Sequence, residues 1–329
     1  MNRCHLKGAL LGVSLFAAAG LLTGCEDDAP SVKEPVPVSV PAHLFIPPAM
    51  PPLKQGRILE RGVRFSQVPL TELGEHLRLW VYLPDPLPPH KLPCVLIAPA
   101  GTPLIYGSDL GTDDYDEHLP YVRAGFAVVA YELSGIMPDH KTDAQLMAGI
   151  RNFRDAEAGL LNARTALDYI AARVPQIDPK RIYTAGHSSA GTLSLLVAEH
   201  DPRVRGCIAY APSCDVEARL GIRLDSLDGI FPGYRDFIHR SSPQTGINSL
   251  NCPVFLFSAR DDNNVPTTEV QAFAKALSAH NPHVTFKQVP TGDHYFSMIE
   301  QGIPAGIRWL KQLQRESQHV EDVLRQPLS

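Results

Sequence analysis

Arg181-Ile182-Tyr183-Thr184-Ala185-Gly186-His187-Ser188-Ser189-Ala190-Gly191-Thr192 is the stretch on which the reading of this chain turns. Its first half, β-branched and aromatic, has the pattern of a short buried strand. Residues 192–199, rich in Leu and Ala, have that of a helix. A strand that turns sharply into a helix through Gly-x-Ser-x-small exposes the serine Oγ on a strained turn, so the positions two before and two after it must be small. Gly186 and Ala190 fill those positions around Ser188. The N-terminus of the following helix aims its free N–H groups at the point where an oxyanion would form, with the Ser189 N–H first among them. A second frame centred on Ser189 and closed by Gly191 puts His187 where a small residue is required, so Ser188 is the expected nucleophile.

Downstream, residues 252–258 form a second buried run, which leads into Arg260-Asp261-Asp262-Asn263-Asn264-Val265-Pro266. Residues 284–289 alternate as a strand and give way to Thr291-Gly292-Asp293-His294. Ser188, Asp262 and His294 therefore follow in the order nucleophile, acid, base, each just past the C-terminal end of a predicted strand. Parallel strands bring such ends to one edge of a sheet, so residues distant in sequence converge there. A histidine at that edge would take the serine proton, and a carboxylate would fix its tautomer.

These motifs resemble those of the α/β-hydrolases over about residues 56–314, and more narrowly those of the prolyl oligopeptidase catalytic domain and the dienelactone-hydrolase-like esterases. Arg181-Ile182-Tyr183 leading into Gly186-His187-Ser188 carries the resemblance, with Ser242-Pro243 ahead of Cys252-Pro253-Val254, Asp262-Asn263-Asn264-Val265-Pro266, and Gly292-Asp293-His294. The resemblance implies an α/β fold with a mostly parallel eight-stranded sheet flanked by helices and a small insertion over the active edge. It also marks Asp262 as the acid, with Asp261 as the alternative. The loop after the third strand often reads His-Gly-Gly in these hydrolases and supplies a second oxyanion donor. Here Pro99-Ala100-Gly101 stands in that place, leaving the Gly101 or the Thr102 N–H for the role. Tyr106 is either a side-chain donor or a packing residue.

Outside this region the chain carries other signals. Arg3 and Lys7 precede a short apolar run, residues 9–22, and Leu22-Thr23-Gly24-Cys25 resembles the lipobox of bacterial lipoproteins. The resemblance implies a signal peptide over residues 1–25, lipidation of Cys25, and an exported protein anchored by lipid in the bacterial cell envelope. Residues 26–55 are dense in proline and read as an extended linker. The folded domain is expected over residues 56–316, with helices at 116–124, 143–173, 267–279 and 303–314. Residues 212–250 show no clear periodicity, and 317–329 are expected to fray as a polar tail.

Composition narrows the function classes. A chain of 329 residues, 44 % hydrophobic, can bury one large α/β core. A net charge of −5 offers no basic footprint for nucleic acid. No Cys/His spacing suggests a metal site and no glycine-rich phosphate loop is present, so no cofactor is expected. Cys94, Cys207, Cys214 and Cys252 are free thiols or, in an exported protein, possible disulfide partners. The expected activity is metal-independent serine hydrolysis through an acyl-enzyme, on a small ester or a short peptide. An ester is favoured because the chain lacks the large extra domain of prolyl oligopeptidases. A serine peptidase is the alternative, and a non-catalytic surface binding module is the reading from another class.

Overall fold

The computed structural model describes residues 50–138 and 141–324. The expected signal peptide, Cys25 and most of the proline-rich linker lie outside them. Among the described residues, nine strands build one sheet: β1 (Arg57–Glu60), β2 (Val63–Glu72), β3 (Glu75–Pro84), β4 (Leu92–Ile97), β5 (Ala127–Tyr131), β6 (Ile177–His187), β7 (Val204–Tyr210), β8 (Val254–Ala259) and β9 (Val284–Val289). Their order is β1-β2-β3-β5-β4-β6-β7-β8-β9. The first three form an antiparallel meander that joins β5 antiparallel, and every pair from β5 to β9 is parallel. The expected count of eight is thus corrected to nine. Residues 57–67, whose alternation predicts a single strand, are broken by a tight Arg61-Gly62 turn in which Gly62 takes φ 87°, and the chain folds back on itself with Glu60 beside Val63.

The burial patterns follow from this layout. β4 and β5 are buried at every position, as strands covered on both faces require, whereas β2 alternates between buried and exposed residues. Helices α1 (Tyr115–Arg123) and α9 (Ile303–Leu324) cover one face through Leu119, Tyr121, Val122, Ile303 and Leu310. On the other face lie α3 (Leu160–Arg173), α4 (Ser189–His200) and α8 (Thr267–Leu277), which contribute Leu167, Ile170, Leu195, Leu196 and Phe273. Each such side chain, withdrawn from water, contributes roughly 1.5–3 kcal/mol before the entropy cost is set against it.

Two helical expectations need correction. Residues 143–173 are not one helix: α2 (Asp143–Asp155) ends where Glu157, Ala158 and Gly159 take φ 53°, 57° and 95°, and α3 starts afresh after them. Left-handed residues in succession cannot continue a right-handed helix. At the C-terminus, α9 continues past Gln314 to Leu324, through residues expected to fray. The aperiodic stretch 212–250 holds three short helices, α5 (Val216–Leu220), α6 (Arg223–Ile230) and α7 (Tyr234–Arg240). Their Val216, Leu224 and Phe237, with Phe231 between α6 and α7, form a separate apolar cluster with Ile150 and Phe153 of α2, and Leu104 and Ile105 of the loop after β4 pack on it. Helices this short repeat too few times to leave a periodic signal. All four cysteines among the described residues are free.

One buried group works against this packing. Glu199, in the last turn of α4, has both carboxylate oxygens buried without a hydrogen-bond partner among the described residues. Gly246 adds to the room around it: a Cβ there would lie 2.3 Å from Glu199 Oε2, and the carboxylate would have to shift. Burial raises its carboxyl well above the usual 4.5. An acid whose folded value is raised adds stability below its unfolded value and loses it as pH rises through the folded one. Glu199→Met is therefore expected to raise Tm by several degrees at neutral pH, in line with about 1–3 kcal/mol for an unsatisfied buried polar group. The gain over the parent protein should grow as pH rises above 5. Thermal denaturation across pH checks this, and an unchanged or lower Tm at pH 8 would contradict it.

Candidate active site

Strands β6, β8 and β9 run parallel, so their C-terminal ends share one edge, and the segments that leave them carry Ser188, Asp262 and His294. Ser188 sits between β6 and α4 at φ 54°, ψ −121°. A non-glycine residue held there costs on the order of 1–3 kcal/mol, so its surroundings must impose the conformation. They do: the Ser188 N–H donates to the Tyr210 carbonyl at 2.8 Å, and the Ser188 carbonyl accepts from the Thr192 N–H at 3.0 Å. The small neighbours are sterically required. A Cβ on Gly186 would lie 2.3 Å from the Ala190 carbonyl oxygen and 2.9 Å from the Ala190 methyl.

Asp262 is buried, while Asp261 beside it is exposed. Asp262 Oδ1 accepts from the Asn264 and Val265 N–H groups at 2.8 and 2.9 Å, which aims the carboxylate. Its Oδ2 lies 2.7 Å from His294 Nδ1. Burial alone would raise this carboxyl, but the hydrogen bonds from His294, Val265 and Asn264 outweigh it and hold the group below its usual value. A carboxylate only accepts, so Nδ1 carries a proton, and in the neutral imidazole Nε2 then presents the lone pair. His294 Nε2 is buried and has no hydrogen-bond partner among the described residues. The link to the strand that leads into Ser188 is direct: His187, the residue before Ser188, places Nε2 2.9 Å from the His294 carbonyl, with the two rings 4.5 Å apart. Asp261 bonds to no imidazole among the described residues. Its two oxygens accept from the Gly292 and Asp293 N–H groups, both at 3.1 Å, and so fix the loop that carries His294.

The three expected oxyanion donors separate into two kinds. Ser189 opens α4, where its N–H has no intrahelical acceptor. Gly101 takes φ 82°, and its N–H makes no hydrogen bond among the described residues. Thr102 differs: its N–H donates to Ser189 Oγ at 3.0 Å, tying the loop after β4 to the elbow. The Thr102 N–H is thus occupied in this structure, and the free donors are those of Ser189 and Gly101. Tyr106 is half-buried, with Lys141 Nζ 5.1 Å from its ring centre.

The family model of the dienelactone hydrolases matches residues 80–318. The chain belongs to the dienelactone hydrolase family. An acetyl esterase of Xylanibacter ruminicola is 27 % identical over 220 residues, covering 58 % of this chain and 47 % of that protein. An α/β-hydrolase domain-containing protein of Arabidopsis thaliana is 26 % identical over 163 residues, covering 46 % of this chain and 52 % of its own. The chain thus spans about half the length of the curated relatives it matches. Among solved structures, acetyl xylan esterase 1 from a Thermoanaerobacterium species superposes with TM-score 0.57 at 18 % identity, covering 79 % of this chain and 87 % of the other. An acylaminoacyl peptidase of Pyrococcus horikoshii gives TM-score 0.57 at 17 % identity, covering 80 % and 42 %. At these identities the structural likeness establishes the α/β-hydrolase fold.

Three contacts of this family member were not legible in its sequence: the Ser189–Thr102 tie, the loop-holding role of Asp261, and the His187–His294 bond. His187 carried the one available signal, as a bulky residue inside a motif that otherwise selects small ones. The first contact yields a prediction. Ser189→Ala keeps the backbone N–H of residue 189 but frees the loop at Thr102, so kcat should fall by about tenfold with KM little changed. Steady-state kinetics on an activated ester checks this, and an unchanged kcat would mean the tie does not matter to turnover.

Proposed function

We propose that this protein is a serine hydrolase that cleaves a carboxylic ester through Ser188, His294 and Asp262. The observation that carries the reading is the strained Ser188 at the same sheet edge as an imidazole whose Nδ1 is held 2.7 Å from a buried carboxylate. In this mechanism His294 Nε2 takes the Ser188 proton as Oγ attacks the acyl carbon. The oxyanion forms against the Ser189 and Gly101 N–H groups. The tetrahedral species collapses as His294 returns the proton to the leaving alcohol, and water repeats the sequence on the acyl-enzyme, releasing acid and free Ser188. Every bond change is a proton transfer or an acyl transfer, so the chemistry calls for no cofactor.

An ester of a short acyl group is favoured. Beside Ser189 and Thr102 lies a narrow recess walled by Leu104, Leu133, Phe153, Leu193, Leu196 and Val216, with about 10 Å³ free. That is room for one water-sized group, which suits an acetyl methyl and not a long chain. The acetyl esterase among the relatives supports the same direction. A serine peptidase is the second reading, supported by the acylaminoacyl peptidase fold likeness. A binding module would have no use for the buried acid and imidazole. A fluorophosphonate probe on the purified protein tests enzyme against binder, with labelling at Ser188 expected. Nitrophenyl acetate, butyrate and octanoate, run beside aminoacyl amides, then test ester against amide. Faster amide than acetate cleavage would overturn the ester reading.

We also propose that the enzyme is held by a lipid anchor at Cys25 in a bacterial cell envelope. Its support is the order of segments: positive start, short apolar run, small residues before cysteine, then a proline-rich tether. No helix among the described residues is long and apolar enough to cross a membrane. Intact-mass analysis of membrane-extracted protein tests this, and an unmodified N-terminus would refute it.

A further inference from the structure

We infer that His187 is a positioning residue for the general base, holding the backbone of the His294 loop to the strand that carries the nucleophile. This rests on the reading of Ser188 and His294 given above. The topology leaves a span for such a tie to bridge. His294 leaves β9, an edge strand, whereas Ser188 leaves β6, three strands inward. At ordinary strand spacing that is about 14 Å. Asp262, just past the end of the intervening β8, fixes the His294 ring through Nδ1, and Asp261 holds the loop to that same segment, but neither ties the loop backbone to the segment of Ser188. His187 does, from the position next to Ser188.

The bond has a defined direction. The His294 carbonyl only accepts, so His187 Nε2 must carry the proton, which leaves Nδ1 as an acceptor. His187 is 4 % exposed and Glu117 8 %, and Nδ1 lies 4.0 Å from Glu117 Oε1. That approach is not an ion pair. Burial, aided by the nearby His294, lowers the His187 imidazole to about 3, and burial, aided by Asp114 and Asp116, raises the Glu117 carboxyl to about 8. Both groups are therefore neutral near pH 7, and His187 keeps the one tautomer that can donate to the His294 carbonyl. The Tyr295 ring, 5.8 Å from that of His187, closes the contact on the loop side.

Two variants of the full chain separate this role from plain packing. In His187→Gln the side-chain amide nitrogen stands at the same bond count from the backbone as Nε2 and can still donate. In His187→Met the volume is kept and the donor is lost. His187→Met is expected to lower kcat by about 10–100-fold with KM within about threefold, since a small displacement of a catalytic group costs on that order. Hydrogen exchange of residues 290–297 should accelerate in the same variant. His187→Gln should stay within about threefold of the parent protein in kcat and in exchange, the conservative amide restoring the tie. If the Met variant folds poorly, His187→Asn, whose amide is too short to reach, is expected to show the same losses. Equal losses in the Gln and Met variants, or unchanged exchange in His187→Met, would overturn the inference. A parent protein that is neither labelled by fluorophosphonate nor active on any ester or amide would overturn the hydrolase reading instead. Exchange of residues 290–297 would then still decide the tie, faster in His187→Met supporting it and unchanged refuting it.

Discussion

Ser188→Ala is expected to lower kcat by about 10⁶-fold, because without Oγ no acyl-enzyme can form and only water attack assisted by the remaining groups is left. Substrate binding should persist, since the recess and the N–H groups of Ser189 and Gly101 are untouched. The fold should persist too, as the Ser188 backbone bonds to Tyr210 and Thr192 do not involve the hydroxyl. A second substitution at the same position separates chemistry from strain. Ser188→Gly should be equally inactive yet more stable than Ser188→Ala, because φ 54° with ψ −121° is unfavourable for any residue with a Cβ. Burst kinetics, probe labelling and thermal denaturation of the two variants check this. Were Ser188→Ala to keep its activity while Ser189→Ala lost all of it, the nucleophile would be Ser189.

How far the sequence reaches can be judged at particular residues. The elbow was legible because its sterics act within five residues: a Cβ at Gly186 collides with Ala190, so composition records the turn. The parallel sheet was legible because β4 and β5 are apolar at almost every position, a pattern that two covered faces demand. Glu157 and Ala158, in contrast, are good helix formers, and only their tertiary setting forces them left-handed, so the break between α2 and α3 left no trace. The same holds for the site. Residue types and chain order suggested Ser188, Asp262 and His294, since the chemistry needs those types at strand ends. The contacts that arrange them join residues 87 apart, as in Ser189–Thr102, or 107 apart, as in His187–His294. Side chains that act by holding another segment's backbone carry no spacing rule, and a sequence offers no periodicity to find them by.

The adjacent pair Asp261 and Asp262 shows how geometry divides labour between identical side chains. Asp262→Asn is expected to lower kcat by about 10⁴-fold, because the amide can donate to His294 Nδ1 and so favours the tautomer that leaves Nε2 protonated, unable to take the Ser188 proton. Asp261→Asn should cost only a few-fold: an amide oxygen still accepts one of the two N–H groups, from Gly292 or Asp293, and the imidazole is not touched. The two should also differ in acid. Asp262 is held below its usual value in the folded protein, so its contribution to stability is present above the ordinary carboxylate range and fades as pH falls through the lowered value. Asp262→Asn removes that dependence, and its stability should therefore approach that of the parent protein at low pH and fall short of it at neutral pH. Kinetics of both variants on one ester, with denaturation at pH 3 to 7, tests the division. Equal large losses of kcat at both positions would mean that the loop held by Asp261 matters as much to the base as the carboxylate of Asp262, and the assignment of a single acid would fail.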